Sequence, residues 1–98
     1  MSDTTYKQRL RRRKRQITTT LTRQRYRVDP FDSGTFHLLA RRGKTALAIR
    51  ICFVYTATED ILSVSLEPVP DRCRREIWQV SEDGRTIVKA KIAGRTGG

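Results

Sequence analysis

This chain has little of what metal and redox sites are made from. It has one histidine, His37, and two cysteines, Cys52 and Cys73, neither in a C-x-x-C pair. That excludes a zinc-ligand set and a disulfide framework, and it leaves reduced, intracellular thiols as the expectation. No nucleophile elbow accompanies His37, and a lone histidine in an apolar run reads as structural. Long hydrophobic runs are missing as well. No stretch approaches the roughly 20 apolar residues of a bilayer span. The N-terminal MSDTTYKQRLRRRKRQ is basic, but no apolar segment follows it, so no secretory signal is expected there. The expected location is the cytoplasm. Acids are the last shortage: 10 Asp and Glu stand against 21 Lys and Arg in 98 residues, for a net charge of +11.

The charge is concentrated at one end. Residues 1–28 carry Lys7, Arg9, Arg11, Arg12, Arg13, Lys14, Arg15, Arg23, Arg25 and Arg27 against the single acid Asp3. The remaining seventy residues are nearly balanced, with eleven bases and nine acids. A field this dense and one-sided attracts polyanions, nucleic acid before anionic lipid. The length fits one small domain, 1–92, with AGRTGG (93–98) as a flexible tail.

The apolar pattern places the elements. Tyr6, Leu10, Ile17 and Leu21 form one stripe of a helix over about 5–23, with Thr5 and Gln8 as a capping box. A disordered basic arm up to about residue 15 is the alternative. RYRV (25–28) is a strand candidate, and DPFDSG (29–34) has turn chemistry. TFHLLAR (35–41) and TALAIRICFVY (45–55) read as strands joined by Arg42-Gly43-Lys44. In 45–55 both faces are apolar except at Arg50, the mark of a buried strand. Residues 57–66 read as a short helix, opened by Thr56 and Glu59 and stopped before Pro68. REIWQV (75–80) and RTIVKAKI (85–92) are strands flanking a Ser81–Gly84 turn. The fold class is α+β, with a mixed central sheet flanked by two helices.

The stretch GTFHLLARRGKTALAIRICF (34–53) resembles the core hairpin of the PD-(D/E)xK nuclease-like superfamily, which includes Holliday-junction resolvases and restriction endonucleases. The resemblance implies an αβββαβ restriction-endonuclease-like core with an extra C-terminal strand. In that superfamily, carboxylates on adjacent strands hold magnesium, and a lysine supports the attack on phosphate. In this chain the position of the first carboxylate aligns with His37, that of the second with Arg50, and that of the lysine with Cys52. A guanidinium stays charged and would repel a cation. The resemblance therefore implies a catalytically silent nuclease fold without a cofactor. Magnesium enters only if displaced acids such as Asp29, Asp32 or Glu59 rebuild a metal site.

Two roles are open for Arg50. It binds a phosphate where a metal once did, or it pairs with Glu76 on the neighbouring strand, the plainer reading. Trp78 reads as core and Cys52 as an inert small hydrophobe. The expected function is nucleic-acid binding, DNA first. It would use Lys7, Arg9, Arg11, Arg12, Arg13, Lys14, Arg15, Arg23 and Arg25 of the first helix and its exit, Arg41, Arg42 and Lys44 of the hairpin, and Arg50. Other expectations are a metal-dependent nuclease with migrated acids, or a small protein-interaction module of a virus or mobile element that docks through its sheet edge or its basic helix. Small relatives of the fold are often dimers, so a homodimer is expected.

Overall fold

The computed structural model describes residues 2–31, 34–53, 58–81 and 83–94. The first helix, α1, runs from Ser2 to Arg23. It starts earlier than the Thr5–Gln8 capping box implies, so Thr5 lies inside the helix rather than at its cap. The basic segment before residue 15 is thus helical, not an arm. β-Branched residues are poor helix formers, yet Thr18–Thr20 stay in register. The Thr19 and Thr20 hydroxyls donate back to the Arg15 and Gln16 carbonyls at 3.0 and 3.1 Å.

The exit of α1 displaces the first expected strand. The Tyr26 N–H bonds the Leu21 carbonyl and the Arg25 N–H bonds the Thr22 carbonyl, each at 3.0 Å. This is a Schellman cap, and Arg25 occupies its left-handed position at φ 69° where glycine is usual. Arg25 therefore cannot begin a strand, and β1 is Arg27–Pro30 rather than 25–28. Asp29 and Pro30, expected in a turn, belong to it.

β2 is Leu38–Arg42 and β3 is Thr45–Cys52. They meet antiparallel with Arg42 opposite Thr45. Between them Gly43 has φ 59°, while Lys44 is not left-handed. Gly at the first central position is what a type II′ hairpin turn requires. β2 thus starts later than residue 35, and β3 ends before Phe53. Residues 54 and 55, expected to extend it, lie outside the described residues. A helix α2, Thr58–Leu66, crosses over to β4, Cys73–Val80. This connection lets β4 pair parallel to β3. β4 begins two residues earlier than expected. β5, Ile87–Ile92, begins two later, because Arg85 and Thr86 are held in the preceding turn.

The five strands form one mixed sheet in the order β1-β2-β3-β4-β5. Each face carries its own apolar cluster. On one face Ile17 and Leu21 of α1 pack on Leu38, Ala40, Leu47, Ile49, Ile51, Trp78 and Val80. On the other, Val64 of α2 joins Phe36, Ala48, Cys52 and Ile77. Helices on opposite faces explain why β3 is apolar on both sides. Among the described residues, no helix is long and apolar enough to cross a membrane.

Candidate nucleic-acid interface

The narrow apolar stripe of α1 faces the sheet, so its bases divide by helical position. Leu10, Ile17 and Leu21 point inward. Lys7, Arg11, Arg12 and Arg15 are exposed. Gln8, Arg11, Arg12 and Arg15 stand at three- and four-residue spacings and line one shallow surface groove. Between Tyr6 and Val28 the sequence holds no acid that could neutralise this row.

Not every base in the run faces solvent. Arg9 lies half-buried, with its guanidinium 5.6 Å from the centre of the Phe53 ring. Arg13 is also half-buried. It donates to Gln16 Oε1 at 2.8 Å, and Gln16 Nε2 donates to the Gly84 carbonyl at 2.8 Å. These two residues fasten α1 to the turn between β4 and β5. Lys14 is half-buried as well. Arg9 and Arg13 thus spend their cationic groups within the fold.

A second group of bases gathers at the far end of α1. Arg23 and Arg25 are exposed. Arg42 stacks on the Tyr26 ring at 4.4 Å and donates to the Gln24 carbonyl at 3.0 Å, which ties the hairpin to the helix exit. Arg41 and Lys44 are exposed. Strand alternation turns Arg41 to the opposite face of the sheet from Arg42.

The positions singled out by the nuclease resemblance do come together. His37 brackets Arg50: its N–H bonds the Ile49 carbonyl and its Nδ1 accepts the Ile51 N–H, both at 2.8 Å. The Arg50 guanidinium donates to the Thr35 carbonyl at 2.5 Å. Both side chains are half-buried, so both serve the backbone at the head of β2. Arg50 alternates with Ala48 and Cys52 on the α2 face, whereas Glu76 alternates with Trp78 and Val80 on the α1 face. The expected Arg50–Glu76 pair is therefore not formed, because the sheet lies between them. Glu76 instead accepts the Trp78 indole N–H at 2.8 Å. Cys52 is buried in the apolar cluster under α2, and Trp78 is core at 2% exposure.

Of the displaced acids, Asp29 pairs with Arg27 at 3.5 Å at the surface. Asp32 and the Glu59 side chain lie outside the described residues. Among the described residues, no three His, Cys, Asp or Glu side chains gather as a metal-holding group. Burial pushes the Cys73 thiol above its usual pKa, against the opposing effect of Arg75.

Sequence reasoning missed the cleft beside the exit of α1, where Tyr26, Glu76, Trp78, Lys89 and Lys91 meet. A signal was present: Glu76 and Trp78 are two apart in a strand, hence on one face, and Lys89 and Lys91 repeat that spacing. Comparison with protein-family models, with curated proteins and with solved structures finds no match to this chain.

Proposed function

We propose that this chain binds nucleic acid, DNA in the first instance, through the outer face of α1, and does not cleave it. The exposed row Lys7, Arg11, Arg12 and Arg15 carries this reading. Neutralising phosphates releases condensed counterions, so such a row binds any sequence and loses affinity steeply with salt. Arg23, Arg25 and Lys44 lengthen the basic surface beyond the helix exit.

The silence of the nuclease-like centre rests on Arg50 and His37, which stand where the resemblance requires carboxylates. The hairpin β2–β3, the α2 crossover and the parallel β4 support the resemblance. Electrophoretic mobility shifts with duplex DNA, single-stranded DNA and RNA at low salt test the reading. A shift with duplex DNA, and intact DNA after incubation with magnesium, is the expected result. Absence of any shift would refute binding. Magnesium-dependent cleavage lost in Asp29→Ala would refute the silence.

A further inference from the structure

The cleft beside the exit of α1 has an unusual lining. Its volume is about 230 Å³. Leu21, Leu47 and Trp78 give it a buried apolar floor, and Tyr26 forms part of its wall. Set into that floor is Glu76, at 7% exposure the one buried charged side chain among the described residues. Burying a carboxylate is costly unless donors satisfy it. An ionised carboxylate offers about four acceptor positions, and the indole of Trp78 takes one.

Cations ring this acid without closing on it. Lys91 stands directly opposite Glu76 in the β4–β5 register, and Lys89 stands opposite Trp78. The Lys89 ammonium lies over the indole at 4.3 Å. Arg74 shares the face two residues before Glu76 and also lines the cleft. All three cations are exposed. The cleft therefore combines flat apolar surface, a deep acceptor and a rim of positive charge.

We propose that this cleft holds one unstacked guanine nucleotide. Guanine presents two adjacent donors, N1–H and the N2 amino group, which match the two oxygens of one carboxylate. Adenine, cytosine and uracil present fewer donors on the corresponding edge. Lys89 leaves the indole for the phosphate, and the base takes its place over Trp78 beside Tyr26, as bases do on aromatic surfaces. Arg74, Lys89 and Lys91 take the phosphate. The guanine nucleotide is either free or unpaired within a strand, and only the second source rests on the nucleic-acid reading above.

Trp78 is the sole tryptophan, so its fluorescence reports on the cleft directly. The test titrates the full chain with guanosine, GMP, AMP, CMP and UMP. GMP quenches saturably, with the other three nucleotides weaker by about tenfold or more. Glu76→Gln keeps an oxygen for the indole but loses one acceptor, and it weakens GMP by about tenfold with little change in Tm. Lys91→Ala, at an exposed position, weakens GMP while leaving guanosine unchanged, which keeps the test valid if the Glu76 variant misfolds. A duplex with one unpaired guanine, compared with its fully paired form, separates the sources. Quenching by free GMP alone assigns the site to the free nucleotide; quenching by both extends it to strands.

Equal affinity for the four nucleotides, or no saturable quenching by any of them, overturns the proposal. The duplex affinity carried by Arg11, Arg12 and Arg15 is unchanged in Glu76→Gln, so the two readings fail separately.

Discussion

The Trp78 indole and the Glu76 carboxylate, two residues apart on one face of β4, share a buried hydrogen bond of 2.8 Å. Trp78 thereby fills the space under α1 and also takes one acceptor position of the acid beside it. Trp78→Phe leaves the carboxylate without that donor and opens a void. The expected loss is about 2–4 kcal/mol, read from urea unfolding.

Arg25 closes α1 in a left-handed conformation that costs a non-glycine residue about 1–2 kcal/mol. Arg25→Gly removes that strain, partly offset by the greater freedom of glycine in the unfolded chain. A net gain of about 0.5–1 kcal/mol is expected, and calorimetry should show a Tm higher by a few degrees.

Gly84 has φ 76° in the β4–β5 turn, and a Cβ there would collide with the Arg13 guanidinium and Gln16. Gly34 has a similar φ of 82° but open space around it. Gly84→Ala therefore combines strain with a broken helix-to-turn contact, whereas Gly34→Ala has strain alone. Thermal melts should place Gly84→Ala below Gly34→Ala.

The Ser81 hydroxyl, and then the Arg85 N–H, hold the Asp83 carboxyl below its usual pKa of 3.8. A depressed folded value contributes stability above the unfolded pKa and loses it as pH falls through the folded one. Asp83→Asn should therefore have a lower urea midpoint than the parent at neutral pH. The difference should close on acidification below 3.8.

Much of this architecture is visible in the chain because it rests on local pattern. Leu10, Ile17 and Leu21 announce a helix, Gly43 a hairpin, and the doubly apolar run 45–55 a strand covered on both sides, of which Thr45–Cys52 forms. What escapes is set by tertiary contact. Nothing in RYRV shows that Tyr26 folds back on Leu21 and forces Arg25 out of the strand. Arg13 looks like one more phosphate contact until Gln16 and Gly84 claim it. Arg50 and Glu76 look complementary in sequence, but only the paired register shows the sheet between them. The exposed row at Lys7, Arg11, Arg12 and Arg15 is legible because it is the complement of the apolar stripe.

The central claim is that α1 holds phosphates with its outer face. Its most direct test is the salt dependence of affinity for a fluorescent duplex, measured by anisotropy on the parent chain and on an Arg11→Ala, Arg12→Ala, Arg15→Ala triple variant. Each lost phosphate contact flattens the slope of log K against log salt by about 0.9. The account predicts a steep slope in the parent and one shallower by about 2.7 in the variant. Equal slopes in the two proteins, or affinity that does not change with salt, would contradict it.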